Sequence, residues 1–160
     1  MLTFFTIPKP FEGVIGTAEK NAIKSWLNVH PGSEVIVFGN EKGATEAAQE
    51  LGFRHAKEIR RNSFGTPLVI EAFKVAHNIA KHDYLVFINT DIILLNNLLG
   101  AARPIQYPNY LMVGRRTDLD FHEEINFTDP RWKESLASRA MKEGKLHGFS
   151  GIDYFLFRSF

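Results

Sequence analysis

Two oxygen-bearing side chains, Asn89 and Asp91, follow the apolar run Tyr84-Leu85-Val86-Phe87-Ile88 at alternate positions, with Thr90 between them. On an extended chain that spacing aims both the same way. Hard divalent cations such as Mg2+ and Mn2+ take such oxygen donors, usually one or two carboxylates completed by phosphate and water. An ionised Asp91 among Ile88, Ile92, Ile93 and Leu94 also needs a counter-ion or hydrogen-bond donors. A blander reading stays open, in which Asp91 caps a turn and Asn89 satisfies loop backbone. Two basic pairs, Arg60-Arg61 and Arg115-Arg116, are too short for a nucleic-acid stripe. They suit a small anion such as a phosphate ester, or are solvated surface charge.

The elements that must position these residues alternate. Leu2 to Ile7 predicts a strand ended by Pro8-Lys9-Pro10. Thr17 is the expected cap of a helix to about Asn28, with Ala18, Ala22, Ile23, Trp26 and Leu27 on one face. Pro31-Gly32 is a turn, and Glu34 to Phe38 a second strand, apolar on both faces as in a helix-covered parallel sheet. A helix from Ala44 to Leu51 stops at Gly52, and Phe53 to Ile59 reads as a third strand. Thr66 as N-cap and Pro67 at the first helical position predict a helix to Lys81. Tyr84 to Ile88 is the expected central strand. After it come a short helix over 96–102, a strand over 111–114, a helix over 131–142 opened by Asp129-Pro130, and the apolar segment 152–160. Such alternation predicts an α/β fold, a mostly parallel sheet with helices on both faces and ligands at the carboxyl ends of its strands.

At 160 residues, 44% hydrophobic and 23% charged, the chain suits one globular domain. Fourteen Phe provide for a well-filled core, or a core plus an aromatic cleft. Absent cysteine excludes disulfides and thiolate-held zinc and accords with a cytoplasmic location. The N-terminus lacks the pattern of a signal peptide, and no run reaches the ~20 apolar residues of a membrane span. Nucleic acid and membrane are therefore not expected partners.

The run Phe87-Ile88-Asn89-Thr90-Asp91-Ile92-Ile93-Leu94 resembles the D-x-D segment of GT-A-fold glycosyltransferases, in a divergent form with Asn-x-Asp before an aliphatic stretch. Asn62-Ser63-Phe64-Gly65-Thr66-Pro67-Leu68 resembles a segment preceding D-x-D in that group, with a comparable piece in exostosin-like transferases. Gly151-Ile152-Asp153-Tyr154-Phe155-Leu156-Phe157 resembles their downstream Asp-aromatic-aliphatic segment near the acceptor side. The three matches are ordered and span most of the chain. The resemblance implies a Rossmann-like GT-A mixed sheet and a single nucleotide-sugar-binding domain over 1–160.

It further implies roles. Thr6, Ile7 and Pro8 would lie near the nucleotide base, and Arg60, Arg61 and Asn62 near base or diphosphate. Asp91 would be the main contact of Mn2+ or Mg2+, with Asn89 a ligand, a ribose contact or a support behind the ligand, because Asn replaces the family's first Asp. His147 would complete the metal site, as a downstream His does in some relatives, or is an exposed loop residue. Asp153 would lie near the transferred sugar or acceptor hydroxyl, as general base in an inverting enzyme, or caps the final segment. The implied partners are a nucleoside-diphosphate sugar, UDP-linked in the first instance, and a glycan or other hydroxyl acceptor.

Two rivals share parts of this pattern. A sugar nucleotidyltransferase needs a glycine-rich basic loop after the first strand, of which Pro8-Lys9-Pro10-Phe11-Glu12-Gly13 is a poor version. A nucleotide-sugar-binding module without turnover fits Asn89 in place of Asp. A dehydrogenase and a P-loop NTPase are disfavoured, since neither G-x-G-x-x-G nor G-x-x-x-x-G-K-[ST] occurs. The chain stops inside an apolar, aromatic segment, which predicts that acceptor-side elements follow it.

Overall fold

Two runs that are apolar on both faces, Leu2–Thr6 (β1) and Tyr84–Ile88 (β4), pair in parallel at the middle of the sheet, with Phe4 opposite Val86. The computed structural model describes residues 1–159. Between the two strands come α1 (Gly13–Val29), β2 (Glu34–Phe38), α2 (Ala44–Leu51), β3 (Arg54–Ala56) and α3 (Val69–Ile79). After β4 come α4 (Leu98–Ala102), β5 (Leu111–Arg115), β6 (Thr117–Asp118), α5 (Trp132–Glu143), β7 (Lys145–Leu146) and β8 (Ile152–Arg158).

Six strands form one sheet in the order β3-β2-β1-β4-β8-β5, while β6 and β7 make a separate two-stranded piece. β3, β2, β1 and β4 are parallel; β8 runs antiparallel to both β4 and β5. The chain moves outward from β1 to β3 and then returns to place β4 on β1's other side. That reversal makes a topological switch point between the carboxyl ends of β1 and β4, the place where sheets of this kind bind ligands.

Strand alternation divides the core. Leu2, Phe4, Val86, Ile88 and Leu156 pack on the face covered by α1, α2 and α4, where Phe4 stacks on Trp26 at 5.5 Å. Phe5, Ile36, Phe38, Leu85 and Phe87 face α3, where Phe73 meets Phe5 edge-on at 4.9 Å. The phenylalanine load is thus spent chiefly on the two layers beside β1 and β4. A smaller cluster surrounds Trp132 and Leu136 of α5.

Three expectations need correction. Helix α1 begins at Gly13, not after Thr17; the Gly16 amide closes the first turn on the Glu12 carbonyl. Thr17 instead turns its hydroxyl back to the Gly13 carbonyl, a use open to Thr inside a helix. Thr66 and Pro67 do not start α3, because residues 60–68 close into a hairpin first. The Leu68 amide donates to the Arg60 carbonyl, and Pro67 bridges Arg61. The third strand shrinks to three residues at the sheet edge. The final segment forms an antiparallel strand ending at Arg158, and Phe160 lies outside the described residues. No described helix is long and apolar enough to cross a membrane.

The stretch after β4 is clamped to α1. Trp26 Nε1 donates to the Ile92 carbonyl at 2.7 Å, and buried Ser25 Oγ accepts from the Leu94 amide at 2.9 Å. Ser25→Ala would leave a buried amide without an acceptor, and is expected to lower unfolding free energy by about 1–3 kcal/mol. Urea denaturation measures this; an unchanged midpoint would show that the clamp is dispensable.

Candidate functional site

Two buried hydroxyls join the strand ends at the switch point. Thr6 and Thr90 are almost inaccessible and lie 2.8 Å apart, and Thr90 also reaches the Ile7 carbonyl at 3.4 Å. These bonds fasten the ends of β1 and β4, so the 89–91 tripeptide and the loop from Ile7 are held as one unit. Asn89 and Asp91 flank buried Thr90 and are themselves exposed, which matches their alternate spacing.

Antiparallel β8 brings Asp153 to the same edge. The Asn89 amide nitrogen donates to the Asp153 carbonyl at 3.0 Å, and Asn89 Nδ2 donates to Asp153 Oδ1 at 2.8 Å. Asp153 is 6% exposed, so its charge needs a partner. Arg116 supplies one: Nη1 donates to both carboxylate oxygens, at 2.9 and 2.8 Å. Arg116 Nε also donates to Asp118 Oδ1 at 2.6 Å, and Nη2 lies 3.1 Å from His147 Nδ1. The Arg116 guanidinium, followed by His147, holds the Asp118 carboxyl below the usual carboxylate range. Asp118 Oδ2 lies 2.6 Å from the same His147 Nδ1. His147 therefore reaches Asn89 through Arg116 and Asp153, not directly.

Asp91 is half exposed, and Lys9 Nζ lies 3.4 Å from its Oδ2. Beneath Lys9 sits Glu19, 2% exposed, whose Oε1 accepts the Lys9 amide at 2.6 Å while Oε2 is buried without a partner. Burial pushes the Glu19 carboxyl up to about 8 against the opposing pull of the Lys9 amide and ammonium; Asp91 and Glu41 add to the rise.

The 60–68 hairpin stands at the same strand-end edge. Arg61 Nη2 pairs with Glu41 at 2.7 Å and lies 3.3 Å from where a Cβ on Gly39 would be, just after β2. Gly39 has φ of 98°, so a side chain there would be both strained and crowded. Arg60 pairs with Glu71 at 2.9 Å, and Asn62 Oδ1 accepts the amides of Phe64 and Thr66. Arg60 and Asn62 thus serve the hairpin itself, which leaves Phe64 at its tip open to solvent.

The structure therefore brings together Thr6, Ile7, Asn89, Thr90, Asp91 and Asp153, with Arg61 at the rim. Among the described residues, no three His, Asp or Glu side chains converge as a metal cluster. Asp91 and Asn89 nevertheless offer hard oxygen donors at an open position, a donor set that fits Mg2+ or Mn2+ drawing its remaining ligands from phosphate and water. Sequence reasoning missed Glu19, Asp118 and the bridging role of Arg116. Glu19 carried a readable signal, since with Ala22, Ile23 and Trp26 it falls on α1's apolar stripe.

Comparisons with known proteins give a fold likeness only. No family model matches, and no curated protein matches. Among solved structures, the chain is similar to the glycosyltransferase GlyE of Streptococcus pneumoniae TIGR4, at 14% identity and a TM-score of 0.45 over 88% of this chain and 37% of that one. It is also similar to the galactosyltransferase LgtC, solved in complex with donor and acceptor sugar analogs, at 16% identity and a TM-score of 0.45 over 99% of this chain and 58% of that one. The chain thus spans less than two thirds of either protein, and no residue role is taken from them.

Glu19 makes stability pH-dependent with a definite sign. Between its ordinary value of 4.5 and about 8, the folded protein keeps a proton that the unfolded chain releases. That contribution is full below the unfolded value and lost as pH rises through the folded one. Glu19→Gln is expected to flatten this decline, read from urea midpoints across the window. Parallel pH profiles for variant and wild type would contradict the assignment.

Proposed function

We propose that this chain binds a nucleoside-diphosphate sugar, a UDP-sugar in the first instance, and belongs to an enzyme that transfers the sugar to a hydroxyl acceptor. One observation carries the reading: the Thr6–Thr90 bond joins the β1 loop to Asn89-Thr90-Asp91 at the topological switch point, and Asn89 joins that unit to Asp153. A base-side loop, a carboxylate at the diphosphate position and a second carboxylate beyond it follow one another along a single edge.

The chain's own groups then divide the work. Ile7 lines the base side, with buried Thr6 and Pro8 supporting it from behind. Arg61, with its guanidinium already on Glu41, sits at the rim as a secondary anion contact. Asp91 and Asn89 would hold Mn2+ or Mg2+, which supplies Lewis-acid stabilisation of the leaving diphosphate when bound. Asp118 and Arg116 hold the His147 ring beside the site rather than in it. Asp153 holds Asn89 and Arg116 in place, and it serves as a general base only when Arg116 withdraws.

Calorimetry with UDP, with and without a chelator, tests the reading. Chelation is expected to weaken UDP binding, and Asp91→Ala is expected to bind UDP as weakly as the chelated protein. Equal affinity under all conditions would remove the metal role. Asp153→Asn is expected to slow release of nucleoside diphosphate from UDP-sugar and leave UDP affinity nearly intact; normal turnover would make Asp153 purely structural.

A further inference from the structure

A diphosphate beside Asp91 needs positive charge close to it, and the nearby arginines are already committed. Arg60 holds Glu71 at 2.9 Å, Arg61 holds Glu41 at 2.7 Å, and Arg116 holds Asp118 and Asp153 at 2.6 and 2.8 Å. Lys9 differs from them. Its ammonium meets Asp91 at 3.4 Å with the two side chains 65% and 49% exposed. An exposed pair of that length contributes little and exchanges readily for a stronger anion.

The backbone beneath Lys9 is fixed although its side chain is free. Glu19 Oε1 accepts the Lys9 amide at 2.6 Å from a side chain that is almost wholly buried. Two residues on, the Phe11 amide donates to the Lys42 carbonyl at 2.8 Å. Gly16 of α1 lies so close that a Cβ there would come within 2.4 Å of the Phe11 backbone carbon. The loop is thus pressed onto α1 and pinned on both sides of Pro10, so that Lys9 is delivered to Asp91 at small cost in ordering the main chain.

We propose that Lys9 is a diphosphate-binding residue of this site, resting on Asp91 until a nucleoside diphosphate takes its ammonium, and that Glu19 is the positioning residue that presents it. The inference rests on the donor-binding reading above. Lys9 neutralises Asp91 as an anion approaches and then contacts the anion itself, while Asp91 is left free for a cation. Glu19 touches neither ligand and acts through the Lys9 amide.

The test compares UDP with uridine, and both with Mn2+ alone, by calorimetry on wild type and variants. Lys9→Met, a surface change, is expected to weaken UDP about tenfold, the worth of one charge-assisted contact. It should leave uridine affinity unchanged and Mn2+ affinity equal or higher, since a competing cation has been removed. Lys9→Arg should restore UDP binding. Glu19→Gln, which can still accept the Lys9 amide, should bind UDP nearly as wild type does, and Glu19→Leu should match Lys9→Met. Equal UDP affinity in wild type and Lys9→Met, or equal losses for UDP and uridine, overturns the proposal and leaves the donor-binding reading standing. A wild-type protein that binds no UDP removes that reading, and this inference with it.

Discussion

Parallel pairing of β1 with β4 is the constraint on which the rest depends. Because Phe5 sits opposite Phe87, the two strands end side by side and Thr6 meets Thr90 in a buried 2.8 Å contact. A one-residue slip would turn every core side chain of β4 to the other face. Phe87 and Leu85 would lose α3, and Val86 and Ile88 would lose α1. Register is therefore enforced by two hydrophobic layers, and the position of Asn89 and Asp91 follows from it.

Around this fixed point the polar groups are arranged by the need to pair buried charge. Asp153 is carried in by β8 and buried there against Arg116, whose guanidinium reaches across from the end of β5. The same guanidinium engages Asp118 and lies against His147, and with the His147 amide bonded to the Arg116 carbonyl it ties the β6–β7 piece to the main sheet. On the opposite flank, Glu19 answers the same need differently. It has a hydrogen bond but, among the described residues, no ion-pair partner, and burial raises its proton affinity. One buried carboxyl is paired with a guanidinium, the other is held toward neutrality by its surroundings.

Much of the frame was legible along the chain because the relevant forces are local. β2 and β4 show unbroken apolar runs, and α2 ends where Gly52 adopts a φ of 73°. The start of α1 was misread because no side chain caps it. Thr66 and Pro67 were misread because a helix-start pair also suits a hairpin turn, and the Asn62 carboxamide had already engaged the Thr66 amide. The tripeptide at 89–91 was legible for its alternation with an apolar strand. Its partners were not, since Thr6, Lys9 and Asp153 lie 84, 82 and 64 residues from the positions they touch. Nothing local announces such pairings; only the antiparallel entry of β8 and the β1–β4 register create them.

The most direct measurement is a crystal structure of the protein grown with UDP and Mn2+. The account expects the diphosphate between Asp91 and Lys9 and the base against the loop at Ile7. Nucleotide bound instead on the far side of the sheet, in the hollow lined by Phe73, His77 and Phe157, would contradict it.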